Sequence, residues 1–141
     1  MKRASRDILT GPERSERMSR VRSKDTKLEI RVRRLVHGMG YRYRLHSTDL
    51  PGRPDLVFRP RRKVIFVHGC FWHRHDSCAK NRLPKSPERR EYWRNKLNGN
   101  ARRDRLVQAT LRDMGWRVLV VWECETKDLD DLAERIETFL G

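Results

Sequence analysis

Several things are scarce in this 141-residue sequence, and each scarcity removes a class of protein. No stretch approaches the roughly 20 consecutive apolar residues of a membrane-spanning helix. The amino terminus is charged and carries no apolar core segment, so no secretory signal is legible and the chain is expected to work in the cytoplasm. Cysteine is rare: Cys70, Cys78 and Cys124 are the whole set of three. An odd count in a reducing compartment argues against a disulfide framework and leaves metal binding or ordinary burial. Acid is also in deficit. Asp and Glu number 19 against 34 Lys and Arg, for a net charge of +15. Such a field attracts polyanions in a salt-dependent way, and nucleic acid is the leading partner. An anionic membrane surface, or a solvated basic surface with no partner, are the alternatives. The length fits one domain with a real apolar core.

Residues 1–24 are polar, basic and without period, as expected of an arm that a partner orders. From Asp25 a helix is expected. Thr26 and Glu29 have capping-box spacing, and Leu28, Val32, Leu35, Val36 and Met39 recur at helical intervals until Gly38 and Gly40 supply a stop. Tyr41 to Leu45 alternates like a strand. After a turn-rich segment from Ser47 to Pro54, Asp55 to Phe58 reads as a short strand and Arg59-Pro60-Arg61-Arg62 as a tight basic turn. Lys63 to Val67 is a nearly continuous apolar run, the pattern of a strand covered on both faces. Phe71 to Pro87 is irregular. A helical region follows from about Glu88 to Met114, with a possible break at Asn98-Gly99-Asn100, and Gly115 ends it. Arg117 to Trp122 is the clearest strand, and Leu129, Leu132, Ile136 and Leu140 fit a closing helix. The order predicts an α/β fold, a mixed central sheet flanked by helices, in one domain over residues 25–141.

Cys70 and His75 are separated by four residues, Cys78 follows after two more, and 45 residues intervene before Cys124. Three cysteines and a histidine are a common tetrahedral zinc set. If the strands preceding Cys70 and Cys124 are parallel neighbours, both cysteines leave the same end of the sheet. The competing reading makes them buried thiols at strand ends and His75 a solvated loop residue.

Asp55 follows the rigid turn Pro51-Gly52-Arg53-Pro54, and His68 and His73 follow the next strand. A hard cation such as Mg²⁺ wants carboxylate, carbonyl and water oxygens. Phosphodiester hydrolysis uses such a metal together with a base near neutral pKa. In a hairpin, Asp55 and the end of the next strand are expected at opposite ends unless the loop shifts the register. Each position also has a structural reading: Asp55 as a turn residue, Glu29 as half of the capping box, His68 as a strand-end histidine, and Asp104 as an ion-pair partner of Arg102, Arg103 or Arg105. Phe71 and Trp72, with Tyr92 and Trp93 in the basic helix, suit stacking on bases or insertion between them. Burial is the other fate for each ring, because adjacent residues point to opposite faces.

Taken together, Leu50-Pro51-Gly52-Arg53-Pro54-Asp55, Val64 to His73 with its core His68-Gly69-Cys70-Phe71-Trp72-His73, Glu91-Tyr92-Trp93 through Asp104, and Gly115 to Cys124 resemble the Vsr family of very short patch repair endonucleases over about residues 15–125. The resemblance implies a restriction-endonuclease-like fold and a bacterial enzyme that nicks DNA 5′ to the thymine of a T:G mismatch left by 5-methylcytosine deamination. It implies Mg²⁺ at Asp55 and the Val67 main-chain carbonyl, His73 as general base, and His68, Asp104 and Glu29 in the supporting water and metal network. It implies a structural Zn²⁺ on Cys70, His75, Cys78 and Cys124. It places Phe71, Trp72 and Trp93 as a wedge from the major groove and Met18 as an entrant from the minor groove, with Lys96 and Asn100 reading the mismatch. Two positions depart from the family pattern. The His75–Cys78 spacing is one residue longer, and Arg74 replaces a histidine.

The expected partner is double-stranded DNA bearing a T:G mismatch. The chain is expected to be a monomer away from membranes, with other mismatch-repair proteins as further candidate partners. The alternatives are a restriction-type nuclease indifferent to mismatches and a non-catalytic zinc-stabilised DNA-binding module.

Overall fold

The computed structural model describes residues 27–73 and 83–141. The basic arm with Met18, Thr26 of the capping box, Arg74, His75 and Cys78 lie outside the described residues. Helix α1 spans Lys27–Gly38, β1 Arg44–Leu45, β2 Leu56–Phe58, β3 Lys63–His68, α2 Pro87–Asp113, β4 Arg117–Trp122 and α3 Leu129–Leu140. Short 3₁₀ turns at Arg59–Arg61 and Glu123–Lys127 follow β2 and β4. None of the described helices is long and apolar enough to cross a membrane.

The four strands form one mixed sheet in the order β1-β2-β3-β4. β1 and β2 are antiparallel, as are β2 and β3, where Leu56 faces Ile65 and Phe58 faces Lys63. β3 and β4 are parallel, from Lys63 opposite Arg117 to His68 opposite Trp122. A parallel pair needs a crossover, and α2 supplies it.

Alternation along the strands distributes side chains to two cores. On one face Leu56, Phe58, Ile65 and Val121 pack with Val32 and Val36 of α1 and Leu132, Ile136 and Leu140 of α3. On the other, Val57, Val64 and Phe66 pack with Leu111 of α2, Leu50 and Trp116. Coverage on both faces explains the unbroken apolar run of β3, whose central residues are buried.

Two elements differ from expectation. The strand read over Tyr41–Leu45 pairs only at Arg44 and Leu45. Its partner β2 stops at Phe58, because the following Arg59–Arg61 turn contains Pro60, which has no N–H to extend a ladder. Tyr43 instead donates its hydroxyl to the Arg33 carbonyl (3.1 Å) and sets its ring edge-on to Phe58. Helix α2 runs through Asn98-Gly99-Asn100 unbroken. Glycine costs a helix interior about 1 kcal/mol. Fully buried Leu97 and Leu111, on either side of Gly99, hold the helix to the body of the protein. Pro87 at its first turn and Gly115 (φ +94°) just after its end delimit it.

Candidate active site

The site forms where β2 begins and β3 ends. Antiparallel pairing places these two ends side by side, the reverse of the separation expected above for a hairpin. The Val67 N–H donates to Asp55 Oδ2 at 2.6 Å. The turn Pro51-Gly52-Arg53-Pro54 delivers Asp55 to that point, and its backbone is specialised for the purpose. Gly52 has φ +75°, and a Cβ there would come within 2.4 Å of Val107 Cγ1 on α2, so the turn lies directly on the helix.

Asp55 is only 8% exposed. Burial pushes its carboxyl up to about 7; the Val67 N–H opposes that rise, nearby Glu29 adds to it and Arg33 opposes it. Beside it, Glu29 is 2% exposed on α1. Its carboxylate bonds to Arg33 one turn along the helix and lies 2.7 Å from His46 Nε2. Glu29 is therefore turned toward Arg33 and His46 within the site. His46 Nδ1 lies 3.9 Å from Asp55 Oδ1. The ligating atoms of Glu29, His46 and Asp55 lie within 4.8 Å of one another, a spacing that one metal ion can span.

The second group lies one residue beyond Val67. His68 is 4% exposed, and its ring stacks on His73 with centroids 3.8 Å apart and planes 4° from parallel. Burial drives the His68 pKa down to about 3, with His73 adding to the fall and Asp104 opposing it, so the ring is neutral at physiological pH. His73 Nδ1 lies 2.6 Å from Asp104 Oδ2. Asp104 comes from the middle of α2, so its carboxylate turns inward to a histidine although arginines flank it in sequence. These three residues also lie within metal-ligating distance of one another.

Directly after β3, Phe71 and Trp72 lie in a turn, where neighbouring side chains need not point to opposite faces. Both rings contact Trp93 of α2, at 5.8 Å and 5.6 Å between centroids, and they contact each other at 5.3 Å. Tyr92 packs edge-on against Trp93. All three members of the Phe71–Trp72–Trp93 cluster are half-buried. Asn100 Nδ2 donates to the Trp72 carbonyl at 3.1 Å, and Asn100 Oδ1 accepts from Arg103. Lys96 lies half-buried on the same helix. Cys70 is buried, and its N–H donates to the Glu123 carboxylate at 3.3 Å, next to Cys124. The parallel pairing of β3 with β4 thus brings the chain at Cys70 and Cys124 to one end of the sheet.

The sequence reading missed His46 and Arg33. Arg33 was accessible in principle, since Glu29 and Arg33 have the i,i+4 spacing of a helical ion pair. For His46 there was no local signal. It belongs to the site because the chain turns there with φ 46°.

A sheet-end acid, a histidine–carboxylate pair and a basic chain of net charge +15 define the kind of site that a nuclease uses on a phosphodiester. The model of the family described as DNA mismatch endonuclease Vsr matches residues 6–80. The Type II nicking enzyme V.XorIIP of Xanthomonas oryzae pv. oryzae is 51% identical over 134 residues, covering 95% of this chain and 96% of that protein. The Type II nicking enzyme V.NmeAIP of Neisseria meningitidis is 40% identical over 130 residues, covering 92% and 91% of the two chains. DNA mismatch endonuclease Vsr of Escherichia coli K12 is 39% identical over 132 residues, covering 94% and 83%. The chain belongs to the Vsr family of DNA mismatch endonucleases. It is a DNA endonuclease, and DNA is its substrate.

Proposed function

We propose that this enzyme nicks one strand of duplex DNA 5′ to the thymine of a T:G mismatch, by Mg²⁺-dependent hydrolysis on a restriction-endonuclease-like fold, and so starts very short patch repair. The observation that carries the reading is the junction of Asp55, held against the end of β3, with the His73–Asp104 pair and the aromatic cluster that follow within a few residues. Asp55 suits a hard cation. Its side chain is largely buried, Oδ2 is taken by the Val67 N–H, and Oδ1 has no hydrogen-bond partner among the described residues, so Oδ1 is free to meet a cation. Asp55 and the Val67 carbonyl would hold Mg²⁺, which when bound polarises the phosphate and stabilises the leaving oxygen.

The chain's own groups do the rest. A carboxylate only accepts, so the 2.6 Å contact has His73 Nδ1–H donating to Asp104. That leaves Nε2 to take a proton from the attacking water. Neutral His68 stacks beneath His73 and fixes the plane of its ring without adding charge. Glu29 and Asp104 supply carboxylates for the surrounding water network. Phe71, Trp72 and Trp93 form the wedge, with Met18 entering from the other groove. A T:G pair yields to insertion more readily than a matched pair. Lys96 and Asn100 read the mismatch, and Asn100 is already tied to the wedge through the Trp72 carbonyl. A structural Zn²⁺ on Cys70, His75, Cys78 and Cys124 would pin the wedge loop. The enzyme acts as a monomer.

Membership of an endonuclease family sets aside the non-catalytic module. A strand-labelled assay on T:G and T:A duplexes in varied sequence contexts, with and without Mg²⁺, tests the remainder. A Mg²⁺-dependent nick 5′ to the thymine of the mismatched duplex alone is the expected result. Equal cutting of the matched duplex would replace this reading with a restriction-type nuclease.

A further inference from the structure

Glu29, His46 and Asp55 converge at the start of β2, and the sense of their contacts is informative. His46 Nε2 is 2.7 Å from Glu29 Oε2. Because the carboxylate accepts, the proton sits on Nε2. An Arg33 guanidinium nitrogen is 3.3 Å from the same Nε2. Guanidinium has no lone pair to offer, so both donors address Glu29 rather than each other. In the neutral ring His46 Nδ1 is then the lone-pair nitrogen. It faces Asp55 Oδ1 across 3.9 Å, and neither atom has a hydrogen-bond partner among the described residues. Asp55 is more than nine-tenths buried. Once Asp55 has lost its proton, as a cation ligand must, the two acceptors repel each other unless a cation lies between them. A divalent ion bonded to each at about 2.1 Å fits a gap of this width. A ligating histidine commonly donates its far N–H to a carboxylate, the relation His46 has to Glu29. The ring is aimed by a backbone in the left-handed region, which histidine tolerates better than most side chains.

We propose that His46 Nδ1 is a nitrogen ligand of the divalent cation held at Asp55, giving this enzyme a preference for Mn²⁺ and related transition-series ions beyond that of an all-oxygen magnesium site. An imidazole nitrogen adds affinity for transition-series ions, least for Mn²⁺ and more along the series to Ni²⁺ and Cu²⁺, whereas carboxylate and carbonyl oxygens serve Mg²⁺ and Mn²⁺ alike. The inference rests on the reading of Asp55 as a cation ligand.

The test is Mn²⁺ binding to the full-length protein by electron paramagnetic resonance, with electron spin-echo modulation to detect nitrogen bonded to manganese. Wild type, Asp55→Ala and two His46 variants, His46→Gln and His46→Asn, are compared. The chain has five histidines, so the informative nitrogen signal is the one lost in Asp55→Ala. That signal is expected in wild type and absent from both His46 variants. In those variants the Asp55-dependent Mn²⁺ site weakens about tenfold, and the Mn²⁺-over-Mg²⁺ binding ratio falls. Asp55-dependent manganese without a nitrogen signal in wild type, or with a signal and affinity unchanged in either His46 variant, would overturn the inference and leave the Asp55 reading standing. Manganese binding indifferent to Asp55→Ala would overturn both. The wild-type spectrum can refute the assignment alone, so a poorly folding variant does not protect it.

Discussion

Replacing Asp55 with asparagine is expected to stabilise the Mg²⁺-free protein at pH 8 while abolishing Mg²⁺-dependent nicking. Burial lifts the carboxyl from its ordinary 3.8 to about 7. Between those values the folded protein holds a proton that the unfolded chain has released. Stability therefore falls as pH rises through this window, and the loss is complete above about pH 7. The interval is about three pH units at 1.36 kcal/mol each, which sets a ceiling on the order of 4 kcal/mol. Asparagine keeps an oxygen for the Val67 N–H, but its amide group must face His46. About 2 kcal/mol of net stabilisation at pH 8 is the expected outcome. His68 acts in the opposite sense. Its pKa is driven from 6.5 down to about 3, so the unfolded chain binds the extra proton and stability rises with pH in that range. The two slopes partly cancel in the wild type below about pH 6.5. The difference between variant and wild type isolates Asp55, because His68 is common to both. Urea unfolding at pH 4, 6 and 8, without added Mg²⁺, should show a gap near zero at pH 4 that widens toward pH 8. Saturating Mg²⁺ should stabilise the wild type at pH 8 and leave the variant unmoved. A variant no more stable than wild type at pH 8, or one that still nicks, would refute the account of Asp55 as a buried carboxylate kept for a cation.

Gly52→Ala would force a Cβ into Val107 at a positive φ; a loss of about 1–3 kcal/mol in urea unfolding is expected, with reduced nicking because the turn that delivers Asp55 shifts. Asp104→Asn leaves a side chain that can no longer fix the His73 tautomer, and kcat should drop on the order of 100-fold with binding of a T:G duplex kept; unchanged kcat would remove the pair from the mechanism. Trp93→Ala removes the ring on which both Phe71 and Trp72 rest; discrimination of T:G from T:A in a binding titration should fall, while affinity for matched DNA, set by phosphate contacts, changes little. Cys124→Ala should leave the protein without zinc by metal analysis and poorly folded, and a folded, active, zinc-free variant would contradict the structural zinc.

Local sequence pattern was enough for the elements whose signal is periodic. β4 appears with the boundaries read from its residues, β3 differs by one, and α3 spans the four apolar positions read for it, because a short apolar run and a helical stripe depend on burial that neighbours of any kind provide. Motif content was enough to indicate the family, since Pro51 to Asp55 followed by His68 to His73 is rare chemistry at a narrow spacing. The short β1 and the continuity of α2 were decided by distant partners: the length of β2 in one case, burial of Leu97 and Leu111 in the other. The site shows the same division. Asp55, His68 and His73 were legible as candidates because each lies at a strand end or in a histidine-rich loop. Their working relations were not. That Asp55 meets the Val67 N–H follows from antiparallel register, and that Asp104 belongs to His73 rather than to its flanking arginines follows from how α2 crosses the sheet. His46 marks the limit most clearly. Nothing beside it in sequence distinguishes it, and only the packing of α1 over the start of β2 places its two ring nitrogens between Glu29 and Asp55. Residue types and spacing determined the chemistry available to this chain; tertiary structure decided which groups share a proton or face one another, because those relations depend on contacts of a few ångströms between segments far apart in sequence.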